Sequence, residues 1–462
     1  MGTRQTGEIG EIAGIRGIRG IRRTDRISRR GFLRGAAHTA GGVAAAAGLA
    51  GAGTLTAGCG LDRDGALGDG TGEITVWTWP DNDRMFLQTI PSFERRYPRI
   101  KVRVQGFSGT FNSKLLGALV SGTGPDVAMV EITNVSNFKS KPGFVDLSRK
   151  PFGAGSMAGK YADFSWKYVA DDRSGRIFAL PKNTGPGGMF YRRDLFRAAG
   201  LPTEPADVHA AMRDWPTFVS AGRKLAVKGE RWLLDDPGQL VAVLRNQAGV
   251  SYFDESGTPQ LDSDIVRNAL EFAVGLQKDG LLAPDMSSQE RGAAINEGSI
   301  ATFFSGNWFG GLLKAQYAPK SAGKWGVALA PATDGVSAFN YGGDFIGVLR
   351  ASANQLAAWE FVKWVTQDPV SLAAMYGRDL YPAWKPAWKS DWINKPDAYY
   401  ANENVNTVFS EVSATMRPPV TNPNDALAST ALSNAVTDVV HGVRTVRAAL
   451  RKAQSDLEDK IS

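Results

Sequence analysis

The sequence predicts an α/β protein in which mostly parallel sheet is flanked by crossover helices. Three observations carry that expectation. EITVWTW (73–79) and IKVRVQGF (100–107) alternate apolar and polar residues, and PDVAMVE (125–131) is an apolar run. These are the signatures of half-buried and buried strands. Between them, DRMFLQTIPSFERRYP places Phe86, Ile90, Phe93 and Tyr97 at helical spacing, and FNSKLLGALVSG does the same over 111–122. Strand, helix, strand, helix, strand at these lengths is the pattern of parallel pairing, because parallel neighbours need a crossover. Pro91 removes a backbone donor, so a kink or break is expected there.

Ligands of such sheets collect at the carboxyl ends of the strands. Those ends are Trp79–Asn82, Phe107–Thr110 and Glu131–Asn134. Further along, RIFALPKNTGPGGMFYRRDLFRAAGL reads as a strand, a Gly/Pro-rich break at 182–188 and a second strand entering a helix. Glycines there make that break a natural hinge. SIATFFSGNWFGGLL carries a strand into a helix across Gly306–Trp308, and KWGVALAP and FNYGGDFIGVL are further apolar strands. LAAWEFVKWVTQDPVSLAAMYG is a periodic helix pair, and residues 426–461 read as two helices split near His441–Gly442.

The first 58 residues read differently. SRRGFLR places Arg29 and Arg30 before Phe32 and Leu33, and Gly35–Gly58 carries no formal charge. A basic region, a mildly apolar stretch and then small residues is the layout of an export signal. Its glycine and alanine content suits a permanent bilayer span poorly. The arginine pair resembles a twin-arginine signal. GIRGIRGIRR, upstream, reads as an extended translation start. Cys59 is the only cysteine of 462 residues, so no internal disulfide can form. It is either a free thiol in a tail or a lipid attachment site, and TAGC resembles the processing site of lipoproteins, with Thr56 where leucine is usual. A Gly- and Asp-rich tether, 59–72, would follow.

That division changes the charge. Removing nine arginines and three carboxylates of residues 1–34 from totals of 53 basic and 46 acidic residues leaves 44 and 43, a net charge of +1 over 404 residues. Nucleic-acid binding, which needs a basic surface, has no support. The three histidines (His38, His209, His441) have no metal-ligand spacing, so neither metal nor cofactor is expected. No G-x-S-x-G elbow occurs, and GAGSMAGKY (153–161) lacks the spacing of a phosphate loop. Carboxylate pairs have no sequence signature, so a glycosidase drawing on Asp81, Asp126, Glu131 or Asp344 stays open. Asp126, after Gly124-Pro125, reads as a turn organiser.

All 12 tryptophans lie beyond residue 58. Sugars present C–H faces ringed by hydroxyls, so their sites combine flat aromatics with a polar rim. Trp79, Trp232, Trp308 and Trp384 fall at strand ends or turns, whereas Trp359 and Trp364 sit on a helix as core.

From Glu73 to the C-terminus the chain resembles the extracellular solute-binding proteins of sugar-importing ABC transporters, the family that includes maltose-binding proteins. The resemblance rests on ITVWTW with Asp81, FNSKLLGALVSGTGPDVAMVE, IFALPKNTGPGGMFYRRDLFRAAGL, INEGSIATFFSGNW, YGGDF and the closing GVRTVRAALRKAQSDLEDKI. It implies the two-lobed type II periplasmic-binding-protein fold, with hinge crossings and a ligand cleft between lobes. Lobe 1 would hold 73–184 and about 338–385, and lobe 2 would hold 185–337 and about 386–462. The resemblance also implies ligand contacts from Trp79, Asp81, Phe107, Ser108, Glu131, Thr133, Asn183, Thr184, Trp232, Trp308, Gly343, Asp344 and Trp384. Many relatives place arginine where Trp384 stands, and maltose binders place tryptophan where Val130 stands. The expected protein is a non-catalytic, monomeric receptor, lipid-anchored through Cys59 outside the cell, that delivers a sugar to an ABC permease. The alternatives are an exported glycoside hydrolase and a receptor for a polyol, glycerophosphodiester or other non-sugar solute.

Overall fold

The computed structural model describes residues 65–80, 82–139, 141–171 and 174–462. Among the described residues eight strands form: β1 (Gly72–Thr78), β2 (Ile100–Gly106), β3 (Val127–Glu131), β4 (Leu180–Arg192), β5 (Thr302–Gly306), β6 (Trp325–Ala328), β7 (Asn340–Val348) and β8 (Tyr381–Pro382). They pair in the order β2-β1-β3-β7-β4-β5, with β6 and β8 also on β4. β1 is parallel to β2 and to β3, with the helices Asn82–Arg96 and Phe111–Ser121 as crossovers. The expected parallel pairing stops there: β7 runs antiparallel between β3 and β4, and β5, β6 and β8 are antiparallel to β4. An apolar run such as FIGVL marks a buried strand but carries no direction.

Pro91 does not break its helix, which continues to Arg96. Phe86, Ile90 and Phe93 are buried on both sides of it, and Leu87, whose carbonyl loses its partner, is itself 60% exposed. Core burial on either side keeps the segment helical through a local penalty. The Gly/Pro stretch 182–188 does not interrupt β4 either. It appears as register shifts against β7 between Pro181 and Asn183 and between Thr184 and Pro186. Prolines cannot donate to a ladder, and bulges absorb that loss without ending the strand.

β4 therefore runs unbroken past distinct hydrophobic cores. One gathers residues from Ile74 to Leu180 and from Phe345 to Ala387, the second from Met189 to Phe339 and from Ala428 to Leu457. A third, aromatic cluster packs Phe190 of β4 against Phe309, Tyr400 and Phe409.

The Gly- and Asp-rich segment, expected to be a flexible tether, is held over its described part. The Gly65 amide donates to the Arg350 carbonyl at 2.7 Å, and the carbonyls of Ala66 and Leu67 accept from Gln355 and Leu356 at 3.3 and 2.9 Å. Gln355–Gln367 is a helix whose N-cap residue, Asn354, makes no side-chain cap. The segment supplies acceptors that the first helical turn lacks internally.

Candidate functional site

A cavity of about 910 Å3 opens where the two cores meet at β4 and β7. On one side it is walled by Trp79 and Asn82 after β1, Glu131–Thr133 after β3, Asn183 of β4 and the turn Asn340–Asp344 of β7. Further lining comes from Asp236, Gln239 and Arg245 of the helix Pro237–Gln247 and its cap and from Tyr252, with Trp308 seated against the β7 turn. Asp425, Ser429 and Ser433 of the helix Asp425–Val440 close one end.

Trp308 is fixed by backbone. Its indole Nε1 donates to the Tyr341 carbonyl at 2.6 Å, and its ring stacks on Tyr341 at 6.0 Å between centroids, 22° from parallel. Gly342 has φ +124°, a conformation that side chains rarely adopt, and a Cβ there would lie 2.8 Å from the indole nitrogen. The YGGDF turn is thus a seat for a tryptophan.

Glu131 and Asp344 face each other in the β3–β7 register. Beneath them Lys182 is fully buried, with Nζ 3.9 Å from the Asp344 carboxylate. That amine donates to Asn82 Oδ1 at 2.8 Å and Asn183 Oδ1 at 3.4 Å. Burial pushes the Asp344 carboxyl up to about 6; Lys182 opposes the shift and the nearby Glu131 adds to it. Burial likewise pulls the Lys182 amine down to about 8, against the attraction of Asp344. Desolvation outweighs the pair's mutual attraction at both groups. The result is a polar floor of carboxylates and amides beside two indole rings.

Of the expected site residues, Trp79, Glu131, Thr133, Asn183, Trp308, Gly343 and Asp344 line this cavity together. The others do not. Phe107 packs edge-on against Trp77 at 4.9 Å, with the Lys114 amine 4.2 Å from its ring centre, and Ser108 is exposed in the following turn. Thr184 is buried in β4 between Gly343 and Tyr381. Trp232 bridges Ile300 through backbone bonds to Ser299 and Ala301. Trp384 stacks edge-on with Tyr161 at 4.9 Å and faces a separate groove with Tyr97 and Trp364. Asp81 and Cys59 lie outside the described residues. Asp126, weighed as half of a carboxylate pair, instead accepts from the Thr75 amide at 2.8 Å and the Ser352 hydroxyl at 2.5 Å, which ties β1 to the segment after β7. Tyr168, Asp236, Arg245, Tyr252, Tyr341 and Asp425 were not foreseen; only Tyr341, beside the glycine pair, had a local signal.

Residues 81–370 match the family model described as bacterial extracellular solute-binding protein. The chain belongs to that family. Among relatives of this solute-binding protein, the lactose-binding protein of Rhizobium radiobacter is 25% identical over 361 residues, covering 74% of this chain and 82% of the relative. The arabinooligosaccharide-binding protein of Bacillus subtilis (strain 168) is 23% identical over 430 residues, 88% of this chain and 96% of that one. A solved ABC-transporter-associated binding protein from B. animalis subsp. lactis Bl-04, in complex with beta-1,6-galactobiose, superposes with a TM-score of 0.70 at 24% identity. It covers 84% of this chain and 97% of its own. The fold is therefore the two-lobed α/β fold of solute-binding proteins.

Proposed function

We propose that this chain is the substrate-binding component of a carbohydrate ABC importer, and that it captures a neutral saccharide in the cavity at β4 and β7. The observation that carries the reading is the pairing of Trp79 and Trp308 with Glu131, Asn183, Asp236 and Asp344 around one 910 Å3 space. Indole faces desolvate the C–H faces of a sugar ring, and carboxylates and amides accept and donate to its hydroxyls. Relatives named for lactose and arabinooligosaccharides support the same ligand class.

The mechanism is closure. Asn183, Glu131 and Asp344 stand on strands of the first core, while Asp236 and Arg245 ride on a helix of the second. A sugar touching both sets favours the closed arrangement in proportion to its differential affinity for it. The first lobe would comprise 73–184 and about 338–385, and β4 would be the crossing about which the lobes move. The closed form would then dock on the permease, without chemical change to the sugar. A hydrolase reading would require the Glu131–Asp344 pair to cleave; both side chains act here as acceptors for hydroxyls.

A thermal-shift screen of the purified protein against sugars, polyols and glycerophosphodiesters tests this reading. A ligand at 100 times its Kd stabilises by about 2.7 kcal/mol. Neutral saccharides are expected to raise the melting temperature by a few degrees; a response confined to phosphodiesters or polyols would sink the proposal. Cys59 would carry a lipid that holds the protein at the outer face of the membrane. The native chain should then partition into detergent and Cys59→Ser into the aqueous phase.

A further inference from the structure

We propose that Asp379, which does not line the cavity, is a positioning residue: with Asn307 and Lys314 it fixes the turn that aims the Trp308 indole at the sugar. This rests on the saccharide reading above and deepens it by assigning what holds the stacking ring in place.

The bond from the indole to the Tyr341 carbonyl fixes the ring only if the Trp308 backbone is already placed. That backbone sits in a short turn between β5 and the four-residue helix Phe309–Leu312. Asn307, one residue before the tryptophan, is 3% exposed and holds the turn from two directions. Its main-chain amide donates to the Pro186 carbonyl at 3.0 Å, and its side-chain amide donates to the Asp379 carbonyl. On the other side of Trp308, the helix passes directly into a π-helical turn, Leu313–Tyr317, which carries Lys314. The Lys314 amine donates to both carboxylate oxygens of Asp379, at 2.8 and 2.9 Å, and to Asp397 at 2.6 Å. Asp379 thus grips the chain before and after Trp308, once through its carbonyl and once through its carboxylate.

Asp379 is itself anchored. Its amide donates to the Tyr376 carbonyl at 2.8 Å and the Leu380 amide to the Met375 carbonyl at 3.2 Å, at the end of the helix Pro369–Tyr376. Leu372 and Met375 of that helix belong to the first core, whose strands carry Glu131 and Asp344. Trp308 is therefore aimed from the frame that holds the polar floor. The packing is close: a Cβ on Gly311 would lie 2.8 Å from the Arg378 carbonyl oxygen, and one on Gly310 2.3 Å from the Tyr400 hydroxyl. Asp379 has φ +57°, a left-handed conformation open to glycine and, among other residues, chiefly to asparagine and aspartate. Lys314 keeps Asp397 as a second partner, so losing the Asp379 carboxylate strands no charge. What the carboxylate adds is direction.

The test is fluorine NMR on the full chain labelled with 5-fluorotryptophan, joined to calorimetry with lactose and beta-1,6-galactobiose. The Trp308 resonance is the one missing from Trp308→Phe. In Asp379→Gly, glycine keeps the left-handed backbone and only the carboxylate is lost. That resonance should then shift or broaden, while those of Trp359 and Trp364 stay in place. Disaccharide affinity should fall by about fivefold or more, and Asp379→Asn, which keeps an oxygen for Lys314, should recover most of it. With Trp308→Ala already present, Asp379→Gly should weaken binding by less than about twofold further, because an absent ring cannot be misaimed. An unmoved Trp308 resonance, or an equal loss in both backgrounds, would overturn the positioning and leave the saccharide reading intact. A moved resonance in a protein that binds neither sugar would overturn the saccharide reading alone. Should Asp379→Gly fail to fold, Asn307→Ala removes the donor to the Asp379 carbonyl and reads the same resonance and the same cycle.

Discussion

Trp308→Ala is expected to weaken saccharide binding at least tenfold while the protein stays folded. Roughly 100 Å2 of indole face laid on a sugar contributes about 2.5 kcal/mol at ~25 cal/mol per Å2. The aromatic contact adds about 0.5–1.5 kcal/mol, so losses on the order of a hundredfold are within reach. The fold should tolerate the change, because Trp308 is only half-buried and caps a four-residue helix at the cavity rim. What disappears with it is a hydrogen bond to the Tyr341 carbonyl, the stack on Tyr341, an edge contact with Phe309 and packing at the margin of the aromatic cluster. Calorimetry with the sugar found by screening decides the point: unchanged affinity would remove Trp308 from the site.

Lys182→Met is expected to destabilise the protein by about 3–5 kcal/mol at pH 8, the usual effect of stranding one member of a buried ion pair. The stranded group is Asp344, whose carboxyl burial already pushes up to about 6 from its ordinary 3.8. A carboxyl raised on folding binds its proton more tightly in the native state. Its penalty is therefore present above pH 6 and relieved as the pH falls toward 4. Lys182 has the opposite shift, so its penalty is present below about pH 8 and relieved as the pH rises toward 10.5. Urea denaturation should show the variant losing most at pH 8 and less at pH 5, where Asp344 takes up a proton. Adding Asp344→Asn should recover part of the loss. A loss below about 1 kcal/mol at pH 8 would mean that Lys182 does not neutralise Asp344.

Much of this was legible in the residues themselves. The change from period 2 to period 3.6 between Glu73 and Glu131 locates three strands and two helices, and the strand-end rule then selects Trp79 and Glu131. Direction was not legible: nothing in NYGGDFIGV says that β7 inserts antiparallel between β3 and β4. Gly and Pro misled at Pro91 and at 182–188, because neighbouring strands and cores override local punctuation. Among aromatics, composition could not distinguish Trp308, which faces the cavity, from Trp384, which faces Tyr161. Arg245 and Asp425 are 180 positions apart and line one cavity only through the packing of the fold, so no local pattern could announce them.

The segment docked on the helix Gln355–Gln367 bears on how far the receptor can roam. Only five residues separate Cys59 from Gly65. Fully extended, that chain reaches about 20 Å. A Cβ on Gly65 would lie 1.9 Å from the Ser352 carbonyl oxygen, so the docking depends on glycine. With a lipid on Cys59 the protein would not sweep a wide volume in search of its permease. It would hover within a fraction of its own diameter of the bilayer, always leading with the same end. Capture of sugar and delivery to the transporter would then be rotations on a short stem, and the effective concentration of receptor at the permease would be set by that stem's length.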